Sequence, residues 1–187
     1  MFEKIINETS NAIVSAIEGV DDIATALRTA VKKQIVGIFK DVTDIGKSGL
    51  EGVTSVASGA IKGAVDIGAP IAEATKGTIR GIILGVDEIG GDFIGAIEKA
   101  TKGVIHGASE IGGDIGVTAV AAVEGTIKVA KTLGVDTVKA TEVAITGVIK
   151  AADGIGTEAG ATVKKALLGA ASLPKDIVQK VMEKRSK

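Results

Sequence analysis

The chain has no cysteine, tryptophan or tyrosine, and only three phenylalanines, two prolines and one histidine among 187 residues. Without cysteine there are no disulfides and no thiolate metal sites, although that absence leaves the compartment open. The shortage of aromatics removes the side chains that usually supply much of the buried area of a rounded core. Neither sign of charge prevails, with 22 Lys and Arg against 23 Asp and Glu, so no global field favours nucleic acid. No stretch reaches the roughly 18 uncharged apolar residues of a membrane span, and Arg80 interrupts the best one, 78–86. Residues 1–8 lack a signal-peptide layout. These features predict a cytoplasmic protein, or one peripheral to a membrane or granule surface.

What the chain does have is apolar mass of one kind and an unusual amount of glycine. It is 45% hydrophobic with mean hydropathy +0.38, supplied by Ile, Val, Ala and Leu, and it contains 26 glycines. That palette suits a thin, regular layer. A 22-residue repeat runs in phase from end to end. Its first position reads Ile23, Ile45, Ile67, Ile89, Ile111, Leu133, Ile155 and Ile177. Its fifteenth reads Gly37, Gly59, Gly81, Gly103, Gly125, Gly147 and Gly169, and its seventeenth Ile17, Phe39, Ile61, Ile83, Ile105, Ile127 and Ile149. From the third repeat the second position is glycine through Gly156. A catalytic site needs residues that occur once, whereas this pattern presents one surface many times.

Twenty-two is twice eleven, and eleven residues fit three turns of a helix at about 3.67 residues per turn. On that helix the first and seventeenth positions share one apolar arc of roughly 130°, and most Lys, Glu and Asp face the other way. The period therefore predicts an all-α protein of long amphipathic helices, extended or hairpin, packed side by side. The alternative is a β-solenoid, disfavoured by scarce apolar/polar alternation and missing Asn-Gly turns. The expected organisation is a repeat region over 1–172, with a bend near 66–70 at Pro70. A short basic amphipathic helix follows over 173–187, entered at Ser172 and Pro174.

The glycines set the energetics. Each costs about 1 kcal/mol against alanine in a helix interior, so a lone helix is expected to be unfolded in water. The Ile rows recover about 1.5–3 kcal/mol per buried side chain, but only against a covering surface. The sequence thus predicts helices that order on contact with a partner. Their apolar face is expected at Ile17, Ile23, Phe39, Ile45, Ile61, Ile67, Ile83, Ile89, Ile105, Ile111, Ile127, Leu133, Ile149 and Ile155. Small-xxx-small pairs, Gly59/Gly63, Gly81/Gly85 and Gly103/Gly107, extend the glycine row and predict close helix-to-helix contact along it, Gly37, Gly125, Gly147 and Gly169 included.

Charge repeats too. Lys40, Lys62, Lys128 and Lys150 form a basic flank beside an acidic one of Asp44, Asp66, Glu88, Asp92, Glu110 and Asp114. Lys40–Asp44 and Lys62–Asp66 would pair at i,i+4, while Glu88–Asp92 and Glu110–Asp114 would repel unless a neighbouring basic flank relieved them. His106 shares the lysine position and reads as a surface residue. Gly90-Gly91-Asp92 and Gly112-Gly113-Asp114 have the look of calcium turns but lack the nonapeptide spacing, and Gly154 and Gly156 complete no dinucleotide fingerprint. No catalytic residue, metal site or cofactor is expected.

The 11/22-residue amphipathic period resembles that of exchangeable apolipoproteins, synucleins and perilipins, and more loosely of phasins. The resemblance covers 1–172 and lies in period and face alone. It implies a non-enzymatic protein that coats or remodels a lipid surface. The near-perfect phase and the glycine content point instead to regular self-assembly into a coat, tube or filament, with the apolar face toward lipid or a second protein layer. The alternative is a peripheral protein covering membranes, lipid droplets or polyester granules as independent helices. The expected partner is the chain itself, with a lipid surface second, and with no nucleic acid or small-molecule substrate.

Overall fold

The computed structural model describes residues 2–41 and 47–186. Among these there are no strands, and nine helices follow one another: α1 Phe2–Ile17, α2 Ile23–Asp41, α3 Lys47–Asp66, α4 Ile71–Glu88, α5 Phe93–Glu110, α6 Ile115–Leu133, α7 Thr137–Ile155, α8 Thr157–Gly169 and α9 Lys175–Arg185. Each repeat is one helix and one turn. The continuous hendecad helix expected from the period does not form, and the bend near Pro70 is one member of a series.

The reason lies in the second and fourth positions of the repeat. Gly68, Gly90, Gly112 and Gly134 adopt φ between +67° and +83°, the left-handed region open to glycine. There they end helices. The Gly91 N–H donates to the Val86 carbonyl at 2.9 Å and the Gly90 N–H to Asp87 at 3.0 Å, and Gly112–Gly113 repeat the pattern on Ser109 and Ala108. Two residues after Gly90, Gly112 and Gly134 an aspartate starts the next helix. Asp92 accepts from the Gly95 N–H at 3.0 Å, Asp114 from Gly116 and Val117, and Asp136 from Lys139. Gly-x-Asp is therefore a stop-and-start signal and not a calcium turn. Pro70 and Pro174 take the cap position itself, one residue ahead of the helix, without a side-chain cap bond. Ser172 makes no cap there.

From α1 to α5 each helix packs more heavily on the helix two further along than on the next one, which sorts α1, α3, α5 and α7 into one layer and α2, α4 and α6 into a second, with α8 packed on both α7 and α6. Stacked helices run parallel: Gly59 and Gly63 of α3 face Ile6 and Ser10 of α1, while Gly77, Gly81 and Gly85 of α4 face Ala24, Arg28 and Lys32 of α2. The register is one helical turn shorter further on, where Gly103 meets Thr54, Gly125 meets Lys76 and Gly147 lies over Glu98 and Thr101. A Cβ on Gly81 would come within 2.6 Å of the Arg28 carbonyl oxygen, and one on Gly63 within 2.5 Å of that of Ser10. Only hydrogen fits. Between the layers lie Ile13, Leu27, Ile35, Ile61, Ile79, Ile82, Ile83, Ile97, Ile105, Ile145, Ile149 and Leu167, all fully buried.

The apolar rows are thus covered by the chain's own second layer, and the expectation that order requires an outside surface is corrected. Of the predicted face, Ile17, Phe39, Ile61, Ile83, Ile105 and Ile149 are buried and Ile127 partly so. The first-position residues sit at the turns: Ile23, Ile89, Ile111 and Leu133 are half-buried, and Ile67 and Ile155 are exposed. Ile45 lies outside the described residues. Thr75, Thr101, Thr126 and Thr141 return their buried hydroxyls to their own helices, as Thr101 does to the Ile97 carbonyl at 2.9 Å and Thr126 to Ala122 at 2.9 Å, whereas the buried hydroxyls of Thr9 and Thr78 find no partner among the described residues.

Glycine substitutions should therefore split by position. Gly81→Ala gains about 1 kcal/mol of helix propensity but forces the α2 and α4 backbones apart, at a cost of about 1–3 kcal/mol or more. Gly154, with nothing within 4 Å of its missing Cβ, carries no such cost. Thermal or urea unfolding should show Gly81→Ala destabilised and Gly154→Ala neutral or stabilised. Equal responses would contradict the packing described.

Candidate functional site: the open amino-terminal edge

A solenoid of identical steps has two ends, and the chain treats them differently. At the carboxyl end, the edge of α7 is covered by α9, whose Val178 and Val181 are buried. Lys180 Nζ meets Glu142 Oε1 at 2.5 Å and Arg185 meets Asp153 Oδ2 at 3.0 Å. Lys164 joins Asp153 at 3.0 Å. The basic tail read from the sequence is thus a cap on the repeat array. Its lysine hydrogen bond holds Glu142 below the usual carboxylate range. Burial would push Asp153 up, but hydrogen bonds from Lys164 and Arg185 outweigh it and lower it.

The amino-terminal edge has no such cap among the described residues. Gly37 of α2 stands where Gly59, Gly81 and Gly103 each receive a neighbouring helix, yet nothing lies within 4 Å of its missing Cβ. Next to it, between α1 and α2, runs a groove of about 510 Å³ lined by Ala12, Ala16, Ala26 and Ala30, with Thr25, Thr29 and Lys33 at its rim. Small side chains keep that edge flat. Lys33 and Lys40 of α2 are exposed beside it, as is Glu8 of α1.

The remaining sequence-predicted sites fall as follows. Gly59, Gly63, Gly81, Gly85, Gly103, Gly107, Gly125 and Gly147 all lie at helix-to-helix contacts, but within one chain. Gly169 does not: α8 has only 13 residues and ends there, so a groove of about 660 Å³ opens between α6 and α8. The charged flanks pair across stacked helices instead of along one. Lys62 binds Glu110 of α5, Lys32 binds Glu88 of α4 at 2.5 Å, and Lys76 binds Glu124 of α6 at 2.8 Å. The expected Lys62–Asp66 pair is replaced by Lys62–Glu110. Glu88 and Glu110 end their helices while Asp92 and Asp114 cap the next, so the predicted i,i+4 repulsion does not arise. Lys150 approaches Glu98 at 3.9 Å, Lys128 makes no ion pair among the described residues, and Asp44 lies outside them. Sequence reasoning missed the alanine groove and the α9 cap. The i,i+4 spacing of Ala12/Ala16 and Ala26/Ala30 was the available signal for the groove.

No protein-family model and no curated protein matches the chain.

Because Glu142 and Asp153 are both lowered in the folded state, their stabilisation of α9 is complete above the ordinary carboxylate range and is lost as pH falls through the folded values. The Val178 and Val181 methyl resonances should hold their buried shifts at neutral pH and move toward random-coil values below about pH 4. Glu142→Gln should weaken the dock at neutral pH. Methyl shifts unchanged down to pH 2, with the core still folded, would contradict the cap's electrostatic anchoring.

Proposed function

We propose that the protein is a non-enzymatic structural module that assembles with a second copy of itself through the open amino-terminal edge. The observation that carries this reading is Gly37: Gly59, Gly81 and Gly103 of its row each receive a neighbouring helix at backbone distance, and among the described residues no helix is seated on Gly37. The internal seams, built from helices of this same chain, support a helix of a second copy as the occupant.

Charge favours a two-fold arrangement. α1 carries Glu3 and Glu8 against Lys4 and is followed by Glu18, Asp21 and Asp22, whereas α2 carries Arg28, Lys32, Lys33 and Lys40 against Asp41. A dyad that lays each α1 over the partner's α2 sets acid against base twice, as a self-complementary interface requires. α9 blocks the opposite end, so pairs form in preference to open chains. Growth into a coat, tube or filament requires α9 to leave α7.

Lipid coating by independent helices fits less well. The exposed large apolar side chains, Phe2, Val20, Ile67, Val117, Val138, Ile155 and Leu168, all sit at helix ends or turns, and the continuous apolar rows are consumed in the core. Spreading on lipid would first have to open that core.

Gly37→Leu separates assembly from folding, because the site is open in the single chain and leucine adds about 1 kcal/mol of helix propensity. Sedimentation of the native chain should show two copies per particle at tens of micromolar, and Gly37→Leu should show one, with unchanged or higher thermal stability. A native chain that stays single, or a Gly37→Leu chain that still pairs, overturns the reading.

A further inference from the structure

Lysines gather in two of the grooves between stacked helices: Lys32, Lys33 and Lys40 lie with Glu88 between α2 and α4, where Lys32 holds the carboxylate at 2.5 Å, and a looser cluster lies between α5 and α7. Where Lys32, Lys62 and Lys76 each meet one carboxylate, the α5–α7 groove gathers Lys99, Lys102 and His106 from α5 and Lys150 from α7 around a single acid, Glu98. Glu98 reaches only Lys150, at 3.9 Å. Glu110, the other acid near His106, is held by Lys62 of α3. The floor is Gly147, Ala151 and Gly154, so the missing side chains leave a recess of about 380 Å³ under the cations. A chain with net charge −1 thus concentrates three lysines over one carboxylate in a concave place. Concavity focuses the field and favours a compact anion over dispersed counterions. Lysine ammonium groups are point charges suited to phosphate oxygens.

We propose that the α5–α7 groove binds a multiply charged phosphate group, held by Lys99, Lys102 and Lys150 with His106 at its edge. The group belongs either to a free phosphate compound or to an anionic lipid headgroup. The proposal is independent of pairing at the amino-terminal edge, which lies on other helices. His106 supplies the reporter. Burial and the nearby Lys102 lower its pKa, against Glu110, so a bound anion must move its titration upward.

His106 is the chain's one histidine, so its ring C–H resonance gives an unambiguous NMR titration. Inorganic pyrophosphate, added against sodium chloride of equal ionic strength, should raise the midpoint in a saturable way. In Lys99→Ala/Lys102→Ala the apparent affinity should fall at least tenfold while the circular dichroism stays native. A parallel arm measures co-sedimentation with phosphatidylcholine vesicles with and without phosphatidic acid. Saturation by pyrophosphate assigns a free phosphate compound. A lysine-dependent gain with phosphatidic acid alone assigns the headgroup. The proposal is overturned if sodium chloride reproduces the shift, if the double variant binds as well as the native chain, or if neither probe binds.

Discussion

The structure depends on the approach of parallel helix backbones across rows of glycine. Gly59, Gly63, Gly81, Gly85, Gly103 and Gly107 each place a Cα hydrogen where any side chain would strike a carbonyl or Cα of the next helix in the layer. Short side chains are buried with them, Ala57, Ala60, Ala100, Ala122 and Ala144 among them. A glycine in a lone helix is a liability of about 1 kcal/mol. Here it is repaid by dispersion contacts and by burial of the Ile and Val row opposite.

Much of this was legible in the chain. The helical class followed from the segregation of Ile from Lys and Glu, and the glycine row stood out because it recurs in register. What misled was the arithmetic of the period. Twenty-two residues suit an uninterrupted hendecad helix, but they also suit a helix of 18 to 20 residues plus a turn, as α3 to α7 show. Gly90 followed by Asp92, and Gly112 followed by Asp114, decided between the two. Once the helix is cut there, the first-position isoleucines move from a continuous face to the turns, and Ile67 and Ile155 reach solvent. The amino-terminal edge was illegible for a different reason. Gly37 looks like its row in sequence, and only the stacking order shows that among the described residues no helix is seated on it.

Repetition also shapes what the protein can do. Identical steps bury identical surfaces, so distinctive chemistry collects where the repeat is broken. One break is the end at α1 and α2, flat and uncapped among the described residues. Another is α9, which replaces a repeat by a short helix tied down through Glu142 and Asp153. A third is the α5–α7 groove, where Lys99, Lys102 and Lys150 gather around the single carboxylate of Glu98.

The central claim is that one chain covers its own apolar rows, so helicity belongs to the single molecule and not to an assembly. Circular dichroism across a dilution series into the sub-micromolar range, without lipid or detergent, tests it directly when each concentration is matched by a sedimentation measurement. The account predicts full helicity and a cooperative thermal transition that persist after every pair has dissociated. Helicity that vanishes with dissociation, or appears only when vesicles are added, would contradict it.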